Sequence, residues 1–169
     1  MKKKAAVVSG LLMVLMFVNP QLWSQDKDHA ELAKGVAQAK ISLDQGLAAS
    51  GREGKPISAK FELEEGKLQL SVYTAKGEKF SEVVVDHNTG NATKTEAITS
   101  GEDLTAAKAQ SESMSKAKES LRAALGKALK ANQGFHAVSI FPSLKDGHPV
   151  AEIALVKGEE WKTASEKLD

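Results

Sequence analysis

An α+β fold made of two repeats, each one helix packed on a three-stranded antiparallel β-meander, is predicted by three observations. Leu32, Val36, Ala39, Leu43 and Leu47 recur at helical spacing, and from Ile57 the apolar period drops to two. The same order, a helical stripe and then alternating strands, returns after residue 106. A shift of 81 residues superimposes Gly66 on Gly147, Lys76-Gly77-Glu78 on Lys157-Gly158-Glu159 and Phe80 on Trp161, with six of 24 positions identical between 57–80 and 138–161. Agreement in element order and turn position is the mark of an internal duplication.

In the first half, Asp28 with Glu31 three residues on predicts a capped helix start. The stripe from Leu32 to Leu47 predicts one continuous helix ending at Ser50-Gly51, with Gly54 and Pro56 beyond it. Ile57, Ala59, Phe61 and Leu63 then alternate with polar residues, as do Leu68, Leu70 and Val72. With Glu65-Gly66 as the turn, Leu63 faces Leu68, Phe61 faces Leu70 and Ala59 faces Val72, so one side of the hairpin is apolar. Tyr73 then falls on the polar side opposite Ser58. A second turn at 75–78 leads to Phe80 and Val83-Val84-Val85, a run too continuous for one face, which predicts a bulge or a strand covered on both sides.

In the second half, Met114, Ala117, Leu121, Leu125 and Ala128 form another helical stripe, ending near Asn132-Gln133-Gly134. A strand follows over Phe135–Phe141, Asp146-Gly147 predicts a hairpin, and a second strand runs Val150–Val156 towards Trp161. Between the halves, 93–105 is polar and rich in Gly, Ser and Thr, and reads as a linker or a helix entry. The expected units are therefore 25–92 and 106–169.

Residues 1–24 read as a secretory signal peptide: Lys2, Lys3 and Lys4 precede an almost wholly apolar run, Ala5–Val18, that is short for a membrane span. Cleavage is expected after Ser24, and membrane attachment only through an uncleaved signal segment. The chain has 169 residues, with 23 Lys and Arg against 22 Asp and Glu. Without the leader, 20 basic and 22 acidic residues remain, a balance that argues against a nucleic-acid partner. No cysteine is present, which excludes disulfides, thiolate catalysis and Cys-based zinc sites and suits a bacterial exported protein, with the periplasm as the expected compartment.

The helix, the hairpin over Ile57–Thr74 and the closing Val83-Val84-Val85-Asp86-His87-Asn88-Thr89-Gly90 together resemble the PepSY family, whose last strand runs into an Asp-x-x-Thr-Gly turn. The second half resembles it through Lys157-Gly158-Glu159-Glu160-Trp161 and on to Lys167-Leu168-Asp169, two residues longer between its Gly and its Asp, so that it reads as a degenerate or structural partner. The resemblance spans nearly all of 29–169. It implies a small extracytoplasmic binding or regulatory module that contacts a protein or peptide, restraint of a peptidase being one form of that activity.

The chemistry readable in the sequence is sparse. There is no phosphate-binding Gly-rich loop, no His-Glu-x-x-His and no Gly-x-Ser-x-Gly, and no cofactor is expected. His29, His87, His136 and His148 are scattered singly, and no metal site is assigned; a composite of His87 and His148 would need their two turns to meet. Asp86, His87, Asn88, Thr89 and Gly90 read as a turn, Asp86 and Asn88 supplying side-chain hydrogen bonds and Gly90 closing it. Glu62, Glu64, Glu65, Glu78 and Glu82 alternate with lysines and read as a solvated face. Tyr73 on the outer face is the candidate interaction surface. Phe80 and Trp161, at equivalent positions, read as shared packing. The alternatives are a small-ligand or metal-binding periplasmic protein using His87, and a membrane-tethered accessory of a sensor or transporter. A hydrolase is least favoured, because no nucleophile has a recognisable base beside it.

Overall fold

Two hairpins with left-handed turns organise the chain. In the computed structural model, which describes residues 22–169, β1 (Lys55–Glu64) and β2 (Lys67–Lys76) are joined through Glu65 (φ 49°) and Gly66 (φ 76°). Asp146 (φ 51°) and Gly147 (φ 82°) likewise join β5 (His136–Lys145) to β6 (His148–Lys157). Paired positive φ values are what a two-residue hairpin turn needs to match strand twist. The first hairpin has the expected register, Leu63 with Leu68, Phe61 with Leu70, Ala59 with Val72 and Ser58 with Tyr73. The third strands are β3 (Lys79–Val85) and β7 (Glu160–Lys167). Antiparallel pairing of β1 with β5, through Ala59–Ile140 and Lys60–Ser139, fuses the meanders into one sheet.

That sheet has seven strands rather than six, in the order β4-β3-β2-β1-β5-β6-β7. The extra strand, β4 (Ala92–Ile98), is formed by the segment expected to be a linker, and residues 101–105 of that segment open a helix, α3. Pairing resumes after the Asp86 turn, and the register shift there leaves Thr93 of β4 as the extra residue between the partners of Val84 and Val85, so the bulge lies on β4 and not in the valine run.

Each expected long helix is broken in two. The first is α1 (Leu22–Gln38) and α2 (Leu43–Ala49), followed by a short 3-10 turn, Ser50–Arg52; the second is α3 (Gly101–Lys116) and α4 (Leu121–Ala131). α1 starts upstream of Asp28, which is therefore inside the helix and not its cap. The signal peptide expected over 1–24 lies outside the described residues except for 22–24, and no helix among the described residues is long and apolar enough to cross a membrane. Both breaks are started anew by a serine. Ser42 Oγ accepts from the Gln45 N–H at 3.3 Å while Gln45 Oε1 accepts from the Ser42 N–H at 2.9 Å, a capping box, and Ser120 Oγ accepts from the Ala123 N–H at 3.1 Å.

The helices occupy both faces of the sheet. A Cβ on Gly46 of α2 would stand 2.7 Å from Leu70, so α2 is pressed onto the face that carries Leu70, Phe61, Ala59 and Val72. α4 joins it there, tied by Arg122 to Asp44. α3 lies on the opposite face, where Ser58 Oγ donates to Gln110 Oε1 at 2.7 Å. The core of the α2/α4 side is aliphatic, with Leu43, Leu47, Leu70, Val72, Leu125, Ile140, Ile153 and Leu155 all fully buried.

Candidate functional site

The Asp86–Gly90 turn forms as expected, by slightly different bonds. Asp86 Oδ1 accepts from the backbone N–H of Asn88 (2.7 Å) and Thr89 (2.9 Å), and the Gly90 N–H donates to the Asp86 carbonyl at 2.8 Å with φ at 77°. Those two amides hold the Asp86 carboxyl below the ordinary carboxylate range. Asn88 contributes its backbone amide, not the side-chain bond expected of it.

The turn has a structural task that the sequence does not announce. His87 offers its carbonyl to the N–H groups of both Lys40 and Ile41, each at 3.0 Å, and so pins the break between α1 and α2. At the other break, Lys118 (2.6 Å) and Glu119 (2.9 Å) donate to the Leu168 carbonyl. Leu168 stands 81 residues after His87, the interval that also separates Gly66 from Gly147. The His87 ring, half-buried, leaves Nδ1 enclosed without a hydrogen-bond partner.

His87 and His148 do not meet. His87 borders a shallow cleft with Glu64, Glu65, Gln69 and Asp86, at the β1–β2 turn. β5 runs antiparallel to β1, which places the β5–β6 turn and His148 at the far end of the sheet. There His148 Nδ1 lies 2.6 Å from Asp169 Oδ2 and holds that carboxyl low. Among the described residues, no three His, Cys, Asp or Glu side chains are gathered as a metal site would require.

Tyr73 is not an exposed contact residue. It keeps its register opposite Ser58, but α3 crosses this face and leaves Tyr73 3% exposed. Its hydroxyl stands 3.5 Å from Glu82 Oε1, and Lys60 Nζ sits 5.9 Å from the ring centroid. Burial, then the neighbouring Glu82 carboxylate, drives the phenol far above its ordinary range. Glu82, expected on a solvated face, is 8% exposed; burial raises its carboxyl and the Ser71 hydroxyl partly offsets this. Around the pair, Lys60 and Glu62 form an ion pair at 2.5 Å and the Ser71 hydroxyl donates to Glu62 at 3.1 Å. The alternation of Lys60, Glu62, Ser71, Tyr73 and Glu82 reads as an outer face because the helix that covers it, α3, begins only at Gly101, well beyond all of them in the chain.

The accessible surfaces include the two edges of the sheet. β4 is exposed from Ala92 to Ala97, and the eight residues of β7 are all exposed or half-buried. Both have one row of backbone N–H and C=O groups not taken up by the sheet. At the start of β7, half-buried Trp161 stacks on His29 of α1 with centroids 5.0 Å apart, and Lys162 Nζ reaches Asn132 Oδ1 at 2.5 Å and lies over Phe135. Trp161 thus packs on α1, where the sequence suggests a role shared with the deeply buried Phe80.

No known family profile matches the chain, and no curated protein matches it. Among solved structures, a provisionally assigned lipoprotein from Clostridium difficile 630 aligns at 18% identity, covering 69% of this chain and 86% of the other, with a TM-score of 0.34.

Proposed function

We propose that this chain is an exported, non-enzymatic binding module of PepSY type, built from two copies of one helix-and-meander unit, which holds an extended protein or peptide segment. The observation that carries the binding role is β7, an eight-residue edge strand open along its outer side with the Trp161–His29 stack at one end. An extended peptide added beside β7 would complete the backbone pairing of that edge, and the aromatic end would supply side-chain contact. Restraint of a peptidase is the activity to assay, because an occupied cleft needs an extended segment and an edge strand binds one.

The two-copy reading is supported by paired features. A shift of 81 residues equates the turns at Gly66 and Gly147, those at Gly77 and Gly158, and the carbonyls of His87 and Leu168. A shift of 78 equates the helix starts at Ser42 and Ser120. Ala59 pairs directly with Ile140, its own equivalent under the first shift, so a pseudo-two-fold axis passes between them. Export rests on Lys2–Lys4 followed by the apolar run Ala5–Val18, and the periplasm is the compartment proposed.

The test is a photo-crosslinking residue at Thr163 in β7, with Lys108 on α3 as the control position, in cells of the source bacterium. A discrete envelope protein crosslinked only from Thr163, and inhibited by the purified chain if it is a peptidase, supports the proposal. Equal labelling from both positions, or none together with a metal- or ligand-dependent rise in Tm, overturns it in favour of ligand binding.

A further inference from the structure

We infer that the opposite edge of the sheet, β4, is the seat of a second copy of this chain, joined strand to strand in a two-fold dimer. β4 reads Ala92-Thr93-Lys94-Thr95-Glu96-Ala97-Ile98 and pairs only with β3. Antiparallel pairing of two such strands about Thr95 sets Lys94 opposite Glu96 of the second copy and Glu96 opposite its Lys94. Thr93 then meets Ala97, and Thr95 meets Thr95. An isologous contact demands such self-complementarity, in which each residue meets the residue that meets it. Directly opposed unlike charges support an antiparallel pair, and like charges oppose it.

The charges on β4 are free to do this. Lys94 Nζ and Glu96 Oε1 pair with each other at 2.9 Å within the strand, and their side chains are 57% and 54% exposed. That exposed intrastrand pair can be exchanged for two interstrand pairs with no buried charge left behind. The remaining side chains on the strand are small up to Ile98, so no pocket reads a foreign sequence and the register is set by the two charges alone. β7 has an analogous Lys162 and Glu166, but Lys162 is already held by Asn132 and by the Phe135 ring. A contact through β4 leaves β7 open at both outer ends of a fourteen-stranded sheet, since each copy brings seven.

The test needs no partner protein: the mass in solution of the full chain, in the processed form the cell leaves, is followed by light scattering from micromolar to near-millimolar concentration. The wild type is expected to rise towards twice its monomer mass. Lys94→Glu and Glu96→Lys, each alone, oppose like charges and remain monomeric. Mixed one to one, the two variants restore the dimer, because one strand then carries two acids and the other two lysines. The double variant Lys94→Glu/Glu96→Lys also dimerises, with its charges reversed. Lys162→Glu on β7 leaves the dimer intact. A wild type that stays monomeric throughout overturns the inference, as does a dimer that survives Lys94→Glu or is broken by Lys162→Glu. Circular dichroism of each variant separates loss of pairing from loss of fold.

Discussion

The Arg122 guanidinium donates from Nε to Asp44 Oδ1 and from its terminal nitrogen to Asp44 Oδ2, both at 2.8 Å, and ties α4 to α2 across 78 residues of chain. The geometry is bidentate, yet the side chains are 53% and 35% exposed, so solvent screens much of the attraction. A double-mutant cycle with Asp44→Asn and Arg122→Gln is expected to return a coupling of about 0.5–1 kcal/mol that falls with added salt. Urea denaturation at low and high ionic strength measures it. A coupling of zero at low salt would show that the pair does not join the two helices energetically.

Tyr73 behaves as a core residue. Tyr73→Ala empties a site that is 3% exposed and is expected to cost about 3 kcal/mol, with an unchanged urea m-value. Tyr73→Phe removes only the long hydroxyl contact to Glu82, at 3.5 Å, and should cost less than about 1 kcal/mol. A neutral Tyr73→Ala would restore the view of Tyr73 as a surface contact.

Glu82 gives the stability a pH signature. Its carboxyl is raised in the folded state, so folding favours the protonated form. The associated stability is present below the unfolded-state value of about 4.3 and is lost as pH rises through the folded-state value. Glu82→Gln, which keeps an acceptor near Tyr73 but carries no charge, should raise Tm at pH 7 and leave it nearly unchanged at pH 4. Thermal melts at the two pH values test this, and an equal shift at both would remove ionisation as the cause.

The two serine caps should cost similar amounts when removed. Ser42→Ala and Ser120→Ala are each expected to destabilise by about 1 kcal/mol. Gln45→Ala should add to the loss only through Ser42, since the two close one capping box and are non-additive. Chemical denaturation of the single and double variants distinguishes this from two independent losses.

Acid should loosen the Asp86 turn. The Asp86 carboxyl is held low by the amides of Asn88 and Thr89, so its contribution is present above the unfolded value and is lost as pH falls through the folded one. Hydrogen exchange at those amides should accelerate on acidification in the wild type and be fast at neutral pH in Asp86→Ala. Slow exchange in the variant would mean that the turn stands without the carboxylate.

The hairpins were legible in the sequence because strand register is a local property. Alternation at period two places Ala59, Phe61 and Leu63 on one face, Glu65-Gly66 and Asp146-Gly147 set the turns, and the partner residues follow by counting. The helix breaks had a local signal too, the Ser42–Gln45 capping box, but the apolar stripe runs on through it with the spacing of an unbroken helix. What fixes each break is a carbonyl more than 40 residues away, at His87 or Leu168, that accepts two amide hydrogens the continuing helix would have used. The burial of Tyr73 and Glu82 was decided by α3 crossing to the second face, and the single sheet by β1 meeting β5. Nothing in the alternation of a strand says which of its faces will be roofed. Side-chain period is set by the backbone over a few residues, whereas cover is set by where a distant element packs, and only the tertiary structure brings the two together.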